Sequence, residues 1–495
     1  MLGGSEKNYR TAFFILLAVA TVVRLFYIQV LELAPDEAYY WTWSRHLQWG
    51  YYDHPPMVGA LMWIFTSLAG QSEFGVRVGW VVIGILLTII LYSMTKRMFG
   101  SARAGFCSAL LLNITLLISA GAVIATPDGP QALFWAAAVF SVYLAVTEGK
   151  ARWWWVTGAC LGFGLLSKYT MLLIAPCVLL FLLSSPEGRK WLPRKEPYLA
   201  FLFGLAIFSP VILWNAQNDW MSFRFQLSHG LAVKKEIGLR YFGEFWGGQA
   251  GLVSPLLFIA LLWAMGKSGL NGFRERKAHL LLLFWTSAPV LLFFAATSLR
   301  SRVEANWPAL AYFSAVSALA GFSAEGWGAW SRRKRGFAWA ALLMAGVLTF
   351  IGYIQPIRAV VPIRVDKDPT SQLLGWRLLG EKMKGASRSF DPKKGIFLLT
   401  PRHQLVGEGM FYTQGAIPVY QWDAPNRVNN LSKENSPPAG SQAIFFTEGG
   451  NSLPAGMEEM FASCERLEPV VVTRDSSVVR THPMWKCTGF KGFQK

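Results

Sequence analysis

The sequence predicts a polytopic α-helical membrane protein of about eleven transmembrane helices with a small C-terminal α/β domain outside the cytoplasm. Three observations predict it. First, 53% of the 495 residues are apolar and only 15% charged, against about a quarter charged in an average soluble domain. Second, apolar runs of roughly 18–22 residues, the length that spans a bilayer, recur along the first 355 positions. Third, the composition changes over 356–495, where short apolar runs alternate with polar segments. The 22 Trp and 35 Phe suit a chain that meets two membrane interfaces.

Membrane segments are expected near 11–31, 77–95, 104–124, 130–147, 155–167, 171–184, 198–216, 248–265, 279–297, 306–322 and 337–355. The two around Lys168 are short and read as a bent pair. The apolar stretch 57–70 is too short to span and reads as an interfacial helix. The first run is long and lacks a small-residue cleavage site, so it reads as an anchor rather than a removed signal peptide.

Basic residues set the orientation. With the N-terminus inside, the inner loops hold 19 Lys and Arg, including Arg274-Glu275-Arg276-Lys277 and Arg332-Arg333-Lys334-Arg335. The outer loops hold eight: Arg45, Lys168, Arg224, Lys234, Lys235, Arg240, Arg300 and Arg302. The net charge of +18 fits this clustering of basic residues between apolar runs, and no basic stripe with interleaved aromatics suggests nucleic acid. An odd number of crossings puts 356–495 outside, giving a transmembrane domain over 1–355 and an external α/β domain over 356–495. In that tail, Gly395–Leu399 and Ala443–Phe446 read as buried strands and Gln404–Tyr412 as a short helix. Cys107, Cys160 and Cys177 read as small buried hydrophobes. Cys464 and Cys487 would form a disulfide if the tail is extracytoplasmic.

The outer loops carry the chemistry. The first reads Pro35-Asp36-Glu37-Ala-Tyr39-Tyr40, then Asp53-His54-Pro55-Pro56. An acidic pair at a helix start is commonly a cap and a first-turn charge. Here aromatic residues surround it, as in a sugar site where carboxylates hold hydroxyls, rings stack and a base faces the acceptor. The second loop, Thr126-Pro127-Asp128-Gly129-Pro130, is either a plain turn or an acid pinned at the membrane surface. Lys168, in Gly164-Leu-Leu-Ser167-Lys168-Tyr169, has no acid nearby in sequence; a lysine at membrane depth is costly and either functional or snorkelling. The loop Arg300-Ser301-Arg302-Val303-Glu304-Ala305-Asn306-Trp307-Pro308 adds two guanidinium groups, suited to a phosphate or to lipid headgroups. Carboxylates, aromatics and cations together point to an anionic lipid bearing a sugar.

This ordered set resembles the lipid-carrier-dependent glycosyltransferases of the C-type membrane fold. They include the protein O-mannosyltransferases and the bacterial aminoarabinose and galacturonic acid transferases that modify lipid A. The resembling motifs are Pro35-Asp36-Glu37-Ala-Tyr-Tyr, Asp53-His54-Pro-Pro, Thr126-Pro-Asp128, Gly164-Leu-Leu-Ser-Lys168-Tyr and Arg302-Val-Glu304-Ala-Asn-Trp-Pro, over about the first 310 residues. The resemblance implies a polyprenyl-phosphate sugar donor, a glycolipid, glycan or protein acceptor, and an active site facing the periplasm from the bacterial inner membrane. It implies Asp36 as the base or the acid that positions the acceptor, supported by Glu37, with Asp128 as the second acidic site. Tyr39, Tyr40, Asp53, His54, Tyr169 and Glu304 would bind substrate, and Lys168, Arg300 and Arg302 would hold the carrier phosphate. The aminoarabinose transferases have a Lys before the double proline, where this chain has His54. No nucleotide-binding Gly-rich motif is visible, and no cofactor is required. A divalent metal would have a site only if Asp36, Asp53 and Asp128 converge. The rival reading is a transporter or flippase of lipid-linked sugars, which predicts broken helices in two symmetric halves.

Overall fold

The computed structural model describes residues 5–230, 238–422, 437–450 and 452–493. Lys234 and Lys235 lie outside them. Two compact units emerge: Met1–Phe26 with Asp53–Val58 and Gly79–Gly352, and Tyr27–Tyr52 with Gly59–Val78 and Tyr353–Lys495.

The helices of the first part of the chain are α1 (Glu6–Tyr27), α2 (Pro35–Arg45), α3 (Met57–Ala69), α4 (Glu73–Phe99), α5 (Ala102–Asn113), α6 (Leu116–Gly121), α7 (Asp128–Glu148), α8 (Arg152–Ser167), α9 (Ile174–Ser184), α10 (Pro186–Arg189) and α11 (Glu196–Gln217). There follow α12 (Met221–Gly230), α13 (Leu239–Val253), α14 (Pro255–Glu275), α15 (Ala278–Trp285), α16 (Ala288–Ser298), α17 (Ala309–Gly326) and α18 (Arg332–Ile354).

Among the described residues seven helices are long and apolar enough to cross a bilayer: α1, α4, α7, α11, α14, the continuous stretch Ala278–Ser298, and α18. The chain is a multi-pass membrane protein, but this criterion does not reproduce a count of eleven. The other four expected segments are helical yet short, broken or unusually polar. Residues 104–124 divide into α5 and α6, and the freed Ile114 carbonyl accepts a hydrogen bond from Thr349 Oγ1 at 2.6 Å. The pair around Lys168 is α8 and a 3-10 turn, Tyr169–Leu173, leading into α9. Helix α17 is lined with Ala, Ser and Gly and is buried on nearly every face.

The helical unit has one continuous apolar core that includes Trp135, Trp154, Phe181, Phe294 and Tyr312. Between α8 and α11 the backbones nearly touch: a Cβ on Gly158 would lie 2.3 Å from the Ala200 carbonyl oxygen. Small residues allow this approach, and apolar helices in lipid associate through such packing rather than through hydrophobicity.

The second unit contains a five-stranded sheet: β1 (Ile396–Thr400), β2 (Val419–Gln421), β3 (Gln442–Phe446), β4 (Ser463–Arg474) and β5 (Ser477–Thr488), in the order β2-β1-β3-β5-β4. Strand β1 pairs in parallel with β2 and β3; β5 is antiparallel to β3 and β4. Helix α19 (Trp376–Ser387) precedes β1, α20 (His403–Tyr412) follows it, and the short α21 (Met457–Met460) precedes β4. Phe397, Phe445, Trp485 and Phe490 fill the core on one face. Asp475 and Ser476, both at positive φ, make the two-residue turn joining β4 to β5. Cys464 and Cys487 face each other across these strands and form a disulfide, with Cα atoms 4.1 Å apart.

Candidate functional site

Asp36 and Glu37 share the first turn of α2 but have different surroundings. Asp36 is exposed. Glu37 is fully buried and bound on both oxygens: Arg77 Nε donates to Oε1 at 2.8 Å, and Arg77 donates a second bond to Oε2 at 2.6 Å. The Ala34 N–H donates to the same Oε2 at 2.9 Å, which satisfies an otherwise orphaned amide at the helix start. Arg77 also donates to the carbonyls of Leu31 and Glu32, each at 2.7 Å. These carbonyls lie beyond the end of α1, which stops at Tyr27 rather than continuing to residue 31. One guanidinium thus organises the whole turn that presents Asp36. Sequence reasoning missed Arg77; the available signal was a single arginine in the apolar run of α4.

The aromatic residues that follow pack inward. Tyr39 and Tyr40 are buried, and Trp43 stacks on Tyr51 at 4.3 Å with nearly parallel rings. They form the wall behind the acidic turn.

The helical unit holds the remaining candidates. Lys168 terminates α8 with an extended backbone, which places it at a helix break. Its ammonium donates to Asp128 Oδ1 at 2.8 Å, and Asn306 Nδ2 donates to Asp128 Oδ2 at 3.0 Å. The lysine is only 11% exposed and the aspartate 22%. Three separate sequence motifs therefore meet at one carboxylate. One turn along α7, Gln131 donates to Thr170 Oγ1 at 2.8 Å and ties the helix to the same break. Tyr169 shares a 2.8 Å hydrogen bond with Ser222.

Asp53 is buried, and its carbonyl accepts a hydrogen bond from Gln226; His54 is half-buried. Arg300 is exposed, and Arg302 forms an exposed ion pair with Glu304 at 3.3 Å. Among the described residues no three His, Cys, Asp or Glu side chains gather into a metal-binding group. Asn306, absent from the expected substrate-binding set, is the other residue that sequence reasoning missed. Its signal was its place in the Arg302–Pro308 motif. An ammonium has three donors, and the Asp128 bond uses one, so this cluster can hold a cation in place while it receives an anion.

A family profile for dolichyl-phosphate-mannose-protein mannosyltransferases matches residues 53–214, the segment that carries Asp53, His54, Asp128, Lys168 and Tyr169. Lipid A galacturonosyltransferase RgtD of Rhizobium johnstonii is 29% identical over 286 residues, covering 56% of this chain and 58% of RgtD. The undecaprenyl phosphate-alpha-4-amino-4-deoxy-L-arabinose arabinosyl transferase of Erwinia tasmaniensis is 25% identical over 302 residues, covering 55% of this chain and 53% of its own length. The chain thus spans a little over half the length of these curated relatives. Likeness to the crystal structure of ArnT from Cupriavidus metallidurans extends over 96% of this chain and 97% of ArnT, with a TM-score of 0.66 at 16% identity. The chain therefore shares the fold of that ArnT structure over nearly its whole length.

Proposed function

We propose that this protein is a glycosyltransferase that moves a sugar from a polyprenyl-phosphate donor to an acceptor at the periplasmic face of the bacterial inner membrane. The observation that carries the proposal is the Asp128–Lys168–Asn306 cluster. Asp128 compensates the charge of a lysine set at a helix break in an apolar bundle, and the ammonium's remaining donors suit the phosphate of a lipid carrier. The relatives support the substrate class: one is named for lipid A galacturonic acid transfer and another for an undecaprenyl-phosphate aminoarabinose donor. The acceptor class follows as lipid A or a related glycolipid, with glycan or protein as the alternatives.

In this scheme Asp36 takes the proton of the acceptor hydroxyl as its oxygen attacks the anomeric carbon. The bond from that carbon to the phosphate oxygen breaks, and the polyprenyl phosphate leaves as a monoester with one more negative charge. Lys168, with Arg300 and Arg302, stabilises that charge. Single displacement inverts the anomeric centre. Asp128 and Asn306 hold Lys168, while Glu37 and Arg77 hold the turn carrying Asp36, so Glu37 acts as a positioning group. Tyr39 and Tyr40 back the turn that carries Asp36, and Asp53, His54, Tyr169 and Glu304 contribute to binding. No metal enters the scheme, and a chelator should leave turnover unchanged.

The test uses purified protein in lipid nanodiscs with a polyprenyl-phosphate sugar and lipid A, beginning with galacturonic acid and 4-amino-4-deoxyarabinose. Mass spectrometry should show glycosylated acceptor and free polyprenyl phosphate in equal amounts. Movement of the intact donor across proteoliposomes without bond cleavage would instead establish a transporter.

A further inference from the structure

The tail domain reaches α2 through α20, and at one point their backbones meet. A Cβ added to Gly407 would lie 2.5 Å from the carbonyl carbon of Ala38 and from the amide nitrogen of Tyr39, and 2.7 Å from the Ala38 oxygen. Those atoms belong to the α2 backbone, so no rotamer change can relieve the overlap. Ala38 lies two residues beyond Asp36. Further contacts attach the same segment to the tail. The Leu33 N–H donates to the Tyr412 hydroxyl at 2.8 Å, and the Trp376 N–H donates to Glu32 at 2.6 Å. The His403 ring meets Tyr39 edge-on at 4.6 Å, and Phe411 meets Trp41 edge-on at 5.1 Å. Contacts from residue 32 to residue 41 thus lead into the tail, on the two sides of Asp36.

We propose that the C-terminal domain is a positioning device for the transfer reaction: α20, seated on α2 at Gly407 and pinned by Tyr412, fixes where the Asp36 carboxylate lies. Gly407 and Tyr412 are then positioning residues, acting through α2 rather than on the substrate. The inference rests on the reading of Asp36 as the base. It explains why the domain packs against a turn in the first inter-span loop, and why α20 carries a glycine in mid-helix despite the cost of about 1 kcal/mol relative to Ala. Misplacing a reacting group by about an ångström can cost on the order of a hundredfold in rate.

The experiment compares full-length wild type, Gly407→Ala, Tyr412→Phe, Asp36→Asn and the control Gly385→Ala, whose added methyl meets nothing within 4 Å. Donor turnover, affinity for polyprenyl phosphate alone and thermal midpoint are measured for each. Gly407→Ala should lower kcat at least about tenfold and Tyr412→Phe about threefold or more, with carrier affinity unchanged within about twofold. Gly385→Ala should match wild type. A folded Gly407→Ala protein with wild-type kcat overturns the inference. If Gly407→Ala does not fold, Tyr412→Phe decides, and an unchanged kcat there overturns it equally. The two readings fail separately: an active Asp36→Asn protein removes the base assignment, whereas inactive Asp36→Asn beside fully active α20 variants removes only the positioning role.

Discussion

Arg77 has five N–H donors, and the structure shows five hydrogen bonds from it, to Glu37, Ile28, Leu31 and Glu32. Breaking such a pair from one side leaves an uncompensated buried charge. Arg77→Met should therefore destabilise the protein by about 3–5 kcal/mol, measured by thermal unfolding in detergent. Arg77→Lys should not restore stability, since an ammonium cannot reproduce the planar fork. His482 sets an acid limit in the tail. Burial, and then the positive charge of Arg480, push its pKa down to about 4. Between about pH 6.5 and 4 the unfolded chain binds a proton that the folded chain refuses, so stability falls with pH across that window, by on the order of 3 kcal/mol. A His482→Phe variant should show a flatter stability curve there. Glu408 works in the opposite direction. It is buried beside Glu32, and among the described residues neither carboxylate oxygen has a hydrogen-bond partner. Burial raises its pKa well above the ordinary carboxylate value. Stability then declines as pH rises above the unfolded value, and Glu408→Gln should relieve this at neutral pH. Glu408 and His482 do not stand out in the sequence, because burial by distant segments sets their behaviour, whereas Arg77 is marked only by its place in an apolar run.

The elements differ in how clearly the sequence announces them. Strands β1 and β3 are buried along almost their whole length and read as plain apolar runs. Strands β4 and β5 carry Glu, Arg and Lys on a solvent face, and their turn is Asp-Ser rather than a glycine turn, so the hairpin is hidden. The break at Lys168 is legible because an ammonium between two short apolar stretches is too costly to desolvate inside one continuous span. Its partner Asp128 is not, since 40 residues separate them. The cross-strand disulfide closes a loop with a sequence separation of 23, for which chain entropy predicts about 3 kcal/mol of stabilisation. Reducing it should lower the unfolding midpoint of the tail, whereas an unchanged midpoint would place its stability in the sheet alone.

At the scale of the whole molecule, apolar run length and charge bias are enough to predict a multi-pass helical protein with a small α/β domain. The helix count is less accessible, because the apolar pattern does not mark where a run such as 104–124 divides into two short helices. Nor does linear order show that the segment 27–52 belongs to the same compact unit as the tail. The central claim is transfer of a sugar with Asp36 as base, and it is tested most directly by single-turnover kinetics on the wild-type and Asp36→Asn proteins with a polyprenyl-phosphate sugar and lipid A. Asp36→Asn should bind polyprenyl phosphate as wild type does but form product at least about a thousandfold more slowly. Product formation at the wild-type rate in a folded Asp36→Asn protein would contradict the claim.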